Sequence, residues 1–200
     1  MTIALEDYVN TREKILDKSL DLFSEDGYSD VSLEKIACAV GIKAPSIYKH
    51  FKSKKDIYDS LLATAICKVD QRLEGIDKYV VNKGESNRLD LPRLSIDIFE
   101  YLLHDDYVSR IRKMISIGMY KNPHAMQFYV EKFIENPIAK HEEFIRNLGI
   151  KEDYDVKVLA TIFYSPILLA VKLYDADPTK EDELVDLLNK SYKMLENIRR

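Results

Sequence analysis

The chain has 200 residues, 46% hydrophobic and 32% charged, with 30 Lys plus Arg against 34 Asp plus Glu and a formal net charge of −4. That is ordinary globular composition, long enough for one large domain or two small ones. Its acidity excludes a protein that coats nucleic acid over its whole surface, but leaves room for a local basic face.

The start MTIALEDYVNTREK lacks a basic n-region followed by an apolar h-region, so no secretory signal is expected. The longest apolar run, VLATIFYSPILLAV (158–171), is too short to span a bilayer and contains Ser and Pro, so no membrane partner is expected. Cys38 and Cys67 are too few for a disulfide framework and lack metal-ligand spacing. A cytoplasmic protein with free thiols is the expectation.

Helical periodicity runs nearly throughout, alternating strand patterns are absent, and about nine helices are expected. The first spans roughly 11–26. Thr11 serves as its cap, Leu16, Leu20 and Phe23 as its apolar stripe, and Gly27 as its stop. The second is 33–40, with Ser32 as N-cap and Glu34 in the first turn, where the helix dipole favours an anion. Val31 and Ile36 are spaced as a hydrophobic staple. Gly41 ends this helix.

The third starts after Lys43, carries Pro45 near its first position and ends around Phe51. The fourth opens at Ser53, where SKKD is a capping-box variant with Asp56 at the third position, and runs to about residue 74. VVNKGESNRLD (80–90) reads as a loop. Further helices are expected near 91–105, 107–121, 123–147, 155–175 and 179–199. Pro137 and Pro166 predict a break or kink within two of them.

Helices two and three carry the functional signal. In SLEKIACAVGIKAPSIYKHF (32–51) the layout is that of a helix-turn-helix. Ala37 is small enough for two helices to cross closely. Gly41 tolerates the positive φ of a tight turn. Ile47 is a branched apolar plug between the helices. From its second helix onward, KAPSIYKHFKSKKD (43–56) gathers five lysines and one histidine around a single acid. A short helix meant for the major groove lies between two rows of phosphates, which disfavour acids and attract lysines.

These residues resemble the DNA-binding domain of TetR-family regulators. The match covers about 9–62 and includes the turn of Leu22, Phe23, Gly27 and Tyr28. It continues through the core of Ile36, Ala37, Val40, Gly41 and Ile42 to the IYKHFKSK end of the third helix. The resemblance implies an all-α homodimer. An N-terminal three-helix helix-turn-helix DNA-binding domain (1–55) would bind palindromic double-stranded operator DNA. A C-terminal helical domain (56–200) would serve effector binding and dimerisation. It implies a repressor released from its operator by an unidentified small-molecule effector.

By position within that frame, Lys43, Ala44, Pro45, Ser46 and Lys49 are assigned to base edges, and Ser32, Tyr48, His50, Lys54 and Lys55 to phosphates. Tyr48 is ambiguous: Ala44, Ile47, Tyr48 and Phe51 form one apolar stripe, whereas the resemblance puts its hydroxyl on a phosphate. His50 has a second reading as a cation at a helix C-terminus. Cys38 falls off the buried stripe and is expected at the surface.

In the C-terminal half, DVKVLATIFYSPILLAVKLYDAD and EDELVDLLNKSYKMLENIRR are the expected dimer helices, the second through a stripe of Leu184, Leu188, Ser191, Leu195 and Ile198. The alternative is that both close the monomer's own core. Tyr101, His104, Met114, Met119, Phe128, Phe163 and Tyr164 are candidate ligand-binding side chains, since aromatics and methionines suit adaptable walls. His104, His124 and His141 are not paired at i, i+4, so no metal is expected. No cofactor is expected either, because the six glycines are too scattered for a phosphate-cradling loop.

Two other functions compete. One is a DNA-binding protein whose C-terminal domain binds a protein partner. The other is a helical enzyme, disfavoured because no H-E-x-x-H or G-x-S-x-G is present.

Overall fold

The computed structural model describes residues 2–81, 90–120, 122–147 and 155–198. Among these residues there is no strand, and the fold is all-α, with an N-terminal helix-turn-helix and a helical C-terminal part. Contacts divide the chain into two compact units. The first is Met1–Val69 with Tyr107–Val130, and the second is Asp70–Asp106 with Glu131–Arg200.

The first helix, α1 (Thr2–Asp26), begins nine residues before the expected start. No Pro or Gly interrupts residues 2–26, so nothing stops the helix upstream, and Thr11 sits inside it rather than capping it. Gly27 ends it at φ 82°, with its N–H on the Phe23 carbonyl at 3.1 Å. Helix α2 (Leu33–Val40) starts on Ser32, whose hydroxyl accepts from the Lys35 N–H at 3.2 Å. Its staple residues Val31 and Ile36 are both buried.

Gly41 ends α2 in the left-handed region at φ 78°. The Ile42 N–H reaches the Ala37 carbonyl and the Gly41 N–H the Cys38 carbonyl, a Schellman pair that satisfies the last carbonyls. The recognition helix α3 (Ala44–Ile47) is only four residues long. Its hydrogen bonding continues in tightened turns, with the His50 and Phe51 N–H groups both on the Ile47 carbonyl.

Helix α4 (Lys54–Val81) opens with the expected capping box: the Asp56 N–H donates to Ser53 Oγ, and Asp56 Oδ2 accepts from the Lys52 N–H at 2.8 Å. Of the expected loop at 80–90, residues 80 and 81 belong to α4 and 82–89 lie outside the described residues.

The first unit's core joins Ile15, Leu20 and Phe23 of α1, Ile36 and Ala37 of α2, Ile47, Phe51, and Ile57, Tyr58 and Leu61 of α4. Helix α6 (Asp106–Gly118) adds Val108, Ile111, Met114 and Ile115 to the buried residues, and α7 (Pro123–Val130) adds Ala125 and Tyr129. Burial holds the Tyr58 phenol in its neutral form, pushing its pKa up to about 12, with Tyr28 contributing next.

In the second unit, α5 (Leu91–His104) is capped by the Asp90 carboxylate on the Arg93 N–H. A π turn (Glu131–Glu135) leads into α8 (Asn136–Asn147). This is the break expected at Pro137. Proline has no N–H to bond the carbonyl four residues back, and the chain absorbs the mismatch as a π turn just upstream. Since α7, the π turn and α8 run on without a gap, the described residues form nine helical rods.

Helix α9 (Val156–Ala176) packs against α5, α8 and α10 (Glu181–Ile198). Of the break or kink expected at Pro166, there is no break: the helix continues through it. At 21 residues it is long and apolar enough to cross a membrane by length and composition alone, yet Ala160, Phe163, Tyr164, Ile167, Ala170 and Val171 form a buried face within its unit.

Leu184, Leu188 and Tyr192 of α10 are buried. The stripe expected at the dimer thus closes the unit's own core at Leu184 and Leu188, while Leu187 and Met194 are exposed. Tyr192 donates its hydroxyl to the Phe163 carbonyl, and burial raises its pKa.

Candidate nucleic-acid interface

A four-residue helix holds its shape only by packing. Ile47 is fully buried and Phe51 is 1% exposed, and burying each such side chain is worth roughly 1.5–3 kcal/mol. That inward pull sets which side chains face out. Lys43, Pro45, Tyr48 and Lys49 are exposed, with Ala44 and Ser46 half-buried between them. Tyr48 is 61% exposed, so the apolar spacing that would have buried it does not decide its position. Its turn lies at the C-cap of α3, where Ile47 and Phe51 already take the inward side.

At the opposite edge of the motif, Ser32 is exposed at the start of α2. Beside it, the Glu34 carboxyl is held below its ordinary pKa by the backbone N–H at the helix start and by the Ser32 hydroxyl. Cys38 is exposed, as its place off the apolar stripe indicated.

The two lysines opening α4 differ. Lys55 is exposed and pairs with Asp59 at 2.6 Å, one turn on. A surface pair of this kind is weak and is readily exchanged for a phosphate. Lys54 is half-buried and turned inward. Its ammonium donates to the Tyr28 and Val31 carbonyls, each at 2.7 Å, and lies 4.4 Å from the centroid of the Tyr28 ring. Burial lowers its pKa against the pull of Asp30. The Lys54 side chain thus ties the turn between α1 and α2 to the start of α4. What it retains for an anion is its backbone N–H, in the first turn of a helix.

His50 is half-buried, with Nδ1 shut from water and without a hydrogen-bond partner. Burial lowers its pKa, and Arg12 and Lys49 lower it further, so the imidazole is neutral near pH 7. The C-terminal cation reading of His50 does not fit that environment.

Sequence reasoning missed Tyr8 and Arg12, which lie near His50 and Phe51. Neither belongs to the helix-turn-helix pattern, and their one signal is that residues four apart share a helix face.

The candidate ligand-binding residues fall into both units. In the first, Met114 is buried and Met119 and Phe128 are half-buried. In the second, Phe163 and Tyr164 are buried, with ring centroids 4.7 and 5.5 Å from that of His141. His141 was not among the candidates. It is buried and its Nδ1 is 2.6 Å from the Pro137 carbonyl.

Tyr101 is half-buried with Arg72 over its ring at 5.2 Å, and burial raises its pKa. His104 is exposed, and its Nε2 lies 2.6 Å from Glu181 Oε1, a contact that ties α5 to α10.

A helix-turn-helix whose recognition helix turns lysines outward and a helical second unit define a DNA-binding transcription regulator. Residues 15–61 match the family model of bacterial regulatory proteins, tetR family. The biofilm operon icaADBC negative transcriptional regulator IcaR of Staphylococcus aureus is 28% identical over 188 residues, covering 89% of this chain and 97% of its own. The transcriptional regulator AcrR of Shigella flexneri is 47% identical over 51 residues, covering 26% of this chain and 24% of its own.

Among solved structures, a transcriptional regulator from Aquifex aeolicus superposes with TM-score 0.71 at 22% identity, covering 92% of this chain and 99% of its own. FadR from Bacillus subtilis, in complex with stearoyl-CoA, superposes with TM-score 0.57 at 22% identity, covering 92% and 96%. Residues 15–61 are thus a DNA-binding domain of the TetR family of bacterial regulators, and the similarity to IcaR extends over most of the chain.

The contrast between the two lysines is testable. Lys54→Met is expected to lower unfolding free energy by about 1–2 kcal/mol in urea titration, because two part-buried carbonyls lose a charged donor. Lys55→Met is expected to leave the midpoint where it is. Equal midpoints for the two variants would show that the Lys54 bonds do not hold the turn.

Proposed function

We propose that the protein is a repressor that binds palindromic operator DNA as a homodimer and is released by a small-molecule effector. The observation that carries the DNA reading is the sidedness of α3: Ile47 and Phe51 are buried while Lys43, Tyr48 and Lys49 are exposed. Lys43, Ala44, Pro45, Ser46 and Lys49 read base edges. Ser32, Tyr48, His50, Lys55 and the backbone N–H of Lys54 hold phosphates and set the register. The relative IcaR is named a negative regulator, which supports repression as the direction.

The dimer reading is supported by a second sidedness. Val158, Ile162, Leu169 and Leu173 follow one another at helical spacing on α9 and are 39–57% exposed. Leu187 and Met194 on α10 are 45% and 66% exposed. Two helices with exposed apolar rows are suited to pairing with the same two helices of a second copy. Dimerisation sets the recognition helices about one DNA turn (~34 Å) apart, the spacing of successive major grooves.

For the effector, the second unit supplies the aromatic side chains Phe163, Tyr164 and Tyr101, which suit an apolar or acyl-bearing molecule. FadR, which holds stearoyl-CoA, supports that class. The link to DNA is supported by the place of α6, which belongs to the same unit as the helix-turn-helix. Arg110 of α6 contacts Asp17 and Asp21 of α1 at 2.9 and 2.8 Å, and the Tyr107 hydroxyl donates to the Leu61 carbonyl of α4 at 3.0 Å. A shift of α6 that favours one of two arrangements of these contacts moves the reading helices with it. These roles belong to a cytoplasmic regulator rather than an enzyme.

Two outcomes are expected. Lys49→Ala changes the ranking of duplexes that differ by single base pairs, whereas Lys55→Ala weakens all duplexes alike and flattens the log–log salt slope by about one. A uniform loss for Lys49→Ala in a binding titration would remove it from base reading. Leu169→Glu yields a monomer in sedimentation and loses tight operator binding; a Leu169→Glu dimer of wild-type affinity would place the interface elsewhere.

A further inference from the structure

The weakest point of the reading head is the C-terminal end of α3. A helix of four residues has few internal hydrogen bonds, and its last carbonyls are met only by the turn that follows, Ser46 by the Lys49 N–H and Ile47 by those of His50 and Phe51. Lys49, His50 and Phe51 follow α3 in turns, and Lys49 carries one of the side chains assigned to base edges.

Each of these three residues is contacted by α1. The Tyr8 hydroxyl donates to the Lys49 carbonyl at 3.1 Å. The Tyr8 ring lies on the His50 imidazole, with centroids 4.3 Å apart and planes at 31°. One turn further along α1, the Arg12 guanidinium stands 4.7 Å from the centroid of the Phe51 ring. Both α1 residues precede the segment matched to the family model, residues 15–61.

We propose that Tyr8 is a positioning residue for sequence recognition: it holds the Lys49 backbone and the His50 ring so that the end of α3 meets the base edges in one orientation. The inference rests on the DNA-binding reading above. Tyr8 is 43% exposed and sits at the rim of its unit, so its main effect is on order at the end of α3 rather than on global stability. A reading segment that is already ordered loses less entropy on binding. That gain goes to duplexes whose bases need the correct orientation. Non-specific binding through phosphates tolerates a looser end.

The test compares wild type, Tyr8→Phe and Tyr8→Ala in the full-length protein. The probes are a duplex selected by the wild type from a library randomised over about 20 base pairs and an unrelated duplex of the same length. Tyr8→Ala is expected to lose about tenfold in affinity for the selected duplex and less than about twofold for the unrelated one. Tyr8→Phe, which keeps the ring on His50 but not the bond to Lys49, is expected to fall between wild type and Tyr8→Ala.

In the free protein, the His50 and Phe51 amides of Tyr8→Ala are expected to exchange faster, with α2 amides and the melting midpoint unchanged. Wild-type discrimination by Tyr8→Ala would overturn the proposal, as would parallel losses on both duplexes or a lowered midpoint with faster exchange throughout α2. A wild-type protein that selects no duplex would instead overturn the DNA reading, and this proposal with it.

Discussion

The recognition helix is too short to hold itself, and the rest of the reading head is arranged around that constraint. Ile47 and Phe51 anchor it from inside, both buried in the first unit. Ala37 lets α2 cross closely, and Gly41 turns the chain between the two helices at a φ that L side chains rarely adopt. Lys54 spends its ammonium on carbonyls of the α1–α2 turn, so that the start of α2 and the start of α4 are tied together. Tyr8 and Arg12 extend the same support to the far end. The exposed lysines owe their direction to these contacts.

Charge is placed with the same economy. The acid in KAPSIYKHFKSKKD is Asp56, and it is spent as a helix cap on the Lys52 N–H. Three acids of α1 are engaged by other cations of the first unit: Asp17 and Asp21 hold Arg110, and Asp26 holds Lys35. An acidic chain thus offers a basic face locally, which suits a regulator that must leave most of its surface repelled by DNA. The ion pairs that remain exposed, such as Lys55 with Asp59, cost little to open.

The helix-turn-helix was legible because each of its requirements is local: a cap at Ser32, a small residue at Ala37, a left-handed glycine at Gly41 and a plug at Ile47. The nine helical rods of the described residues were legible from periodicity, and an interruption near Pro137 was expected, though not its form as a π turn. What escaped depends on long-range partners. The role of Lys54 is decided by carbonyls more than 20 residues away. The start of α1 escaped because Thr11 looks like a cap, while nothing upstream stops the helix. On α10 an apolar stripe says which side avoids water, but not which neighbour covers it. Leu184 and Leu188 are covered by their own unit, and the outward row passes through Leu187 and Met194. Periodicity could not mark the effector residues, because aromatic and methionine side chains look alike in a core and in a binding wall.

The central claim is sequence-specific DNA binding by a dimer, and its most direct test is selection of genomic fragments by the purified protein at near-physiological salt, followed by sequencing. The account predicts enrichment of one palindrome with half-sites about 10 base pairs apart, centre to centre, near a promoter. Binding that is sequence-blind and falls steeply with salt would contradict it, since it would leave the lysines of α3 as phosphate contacts alone.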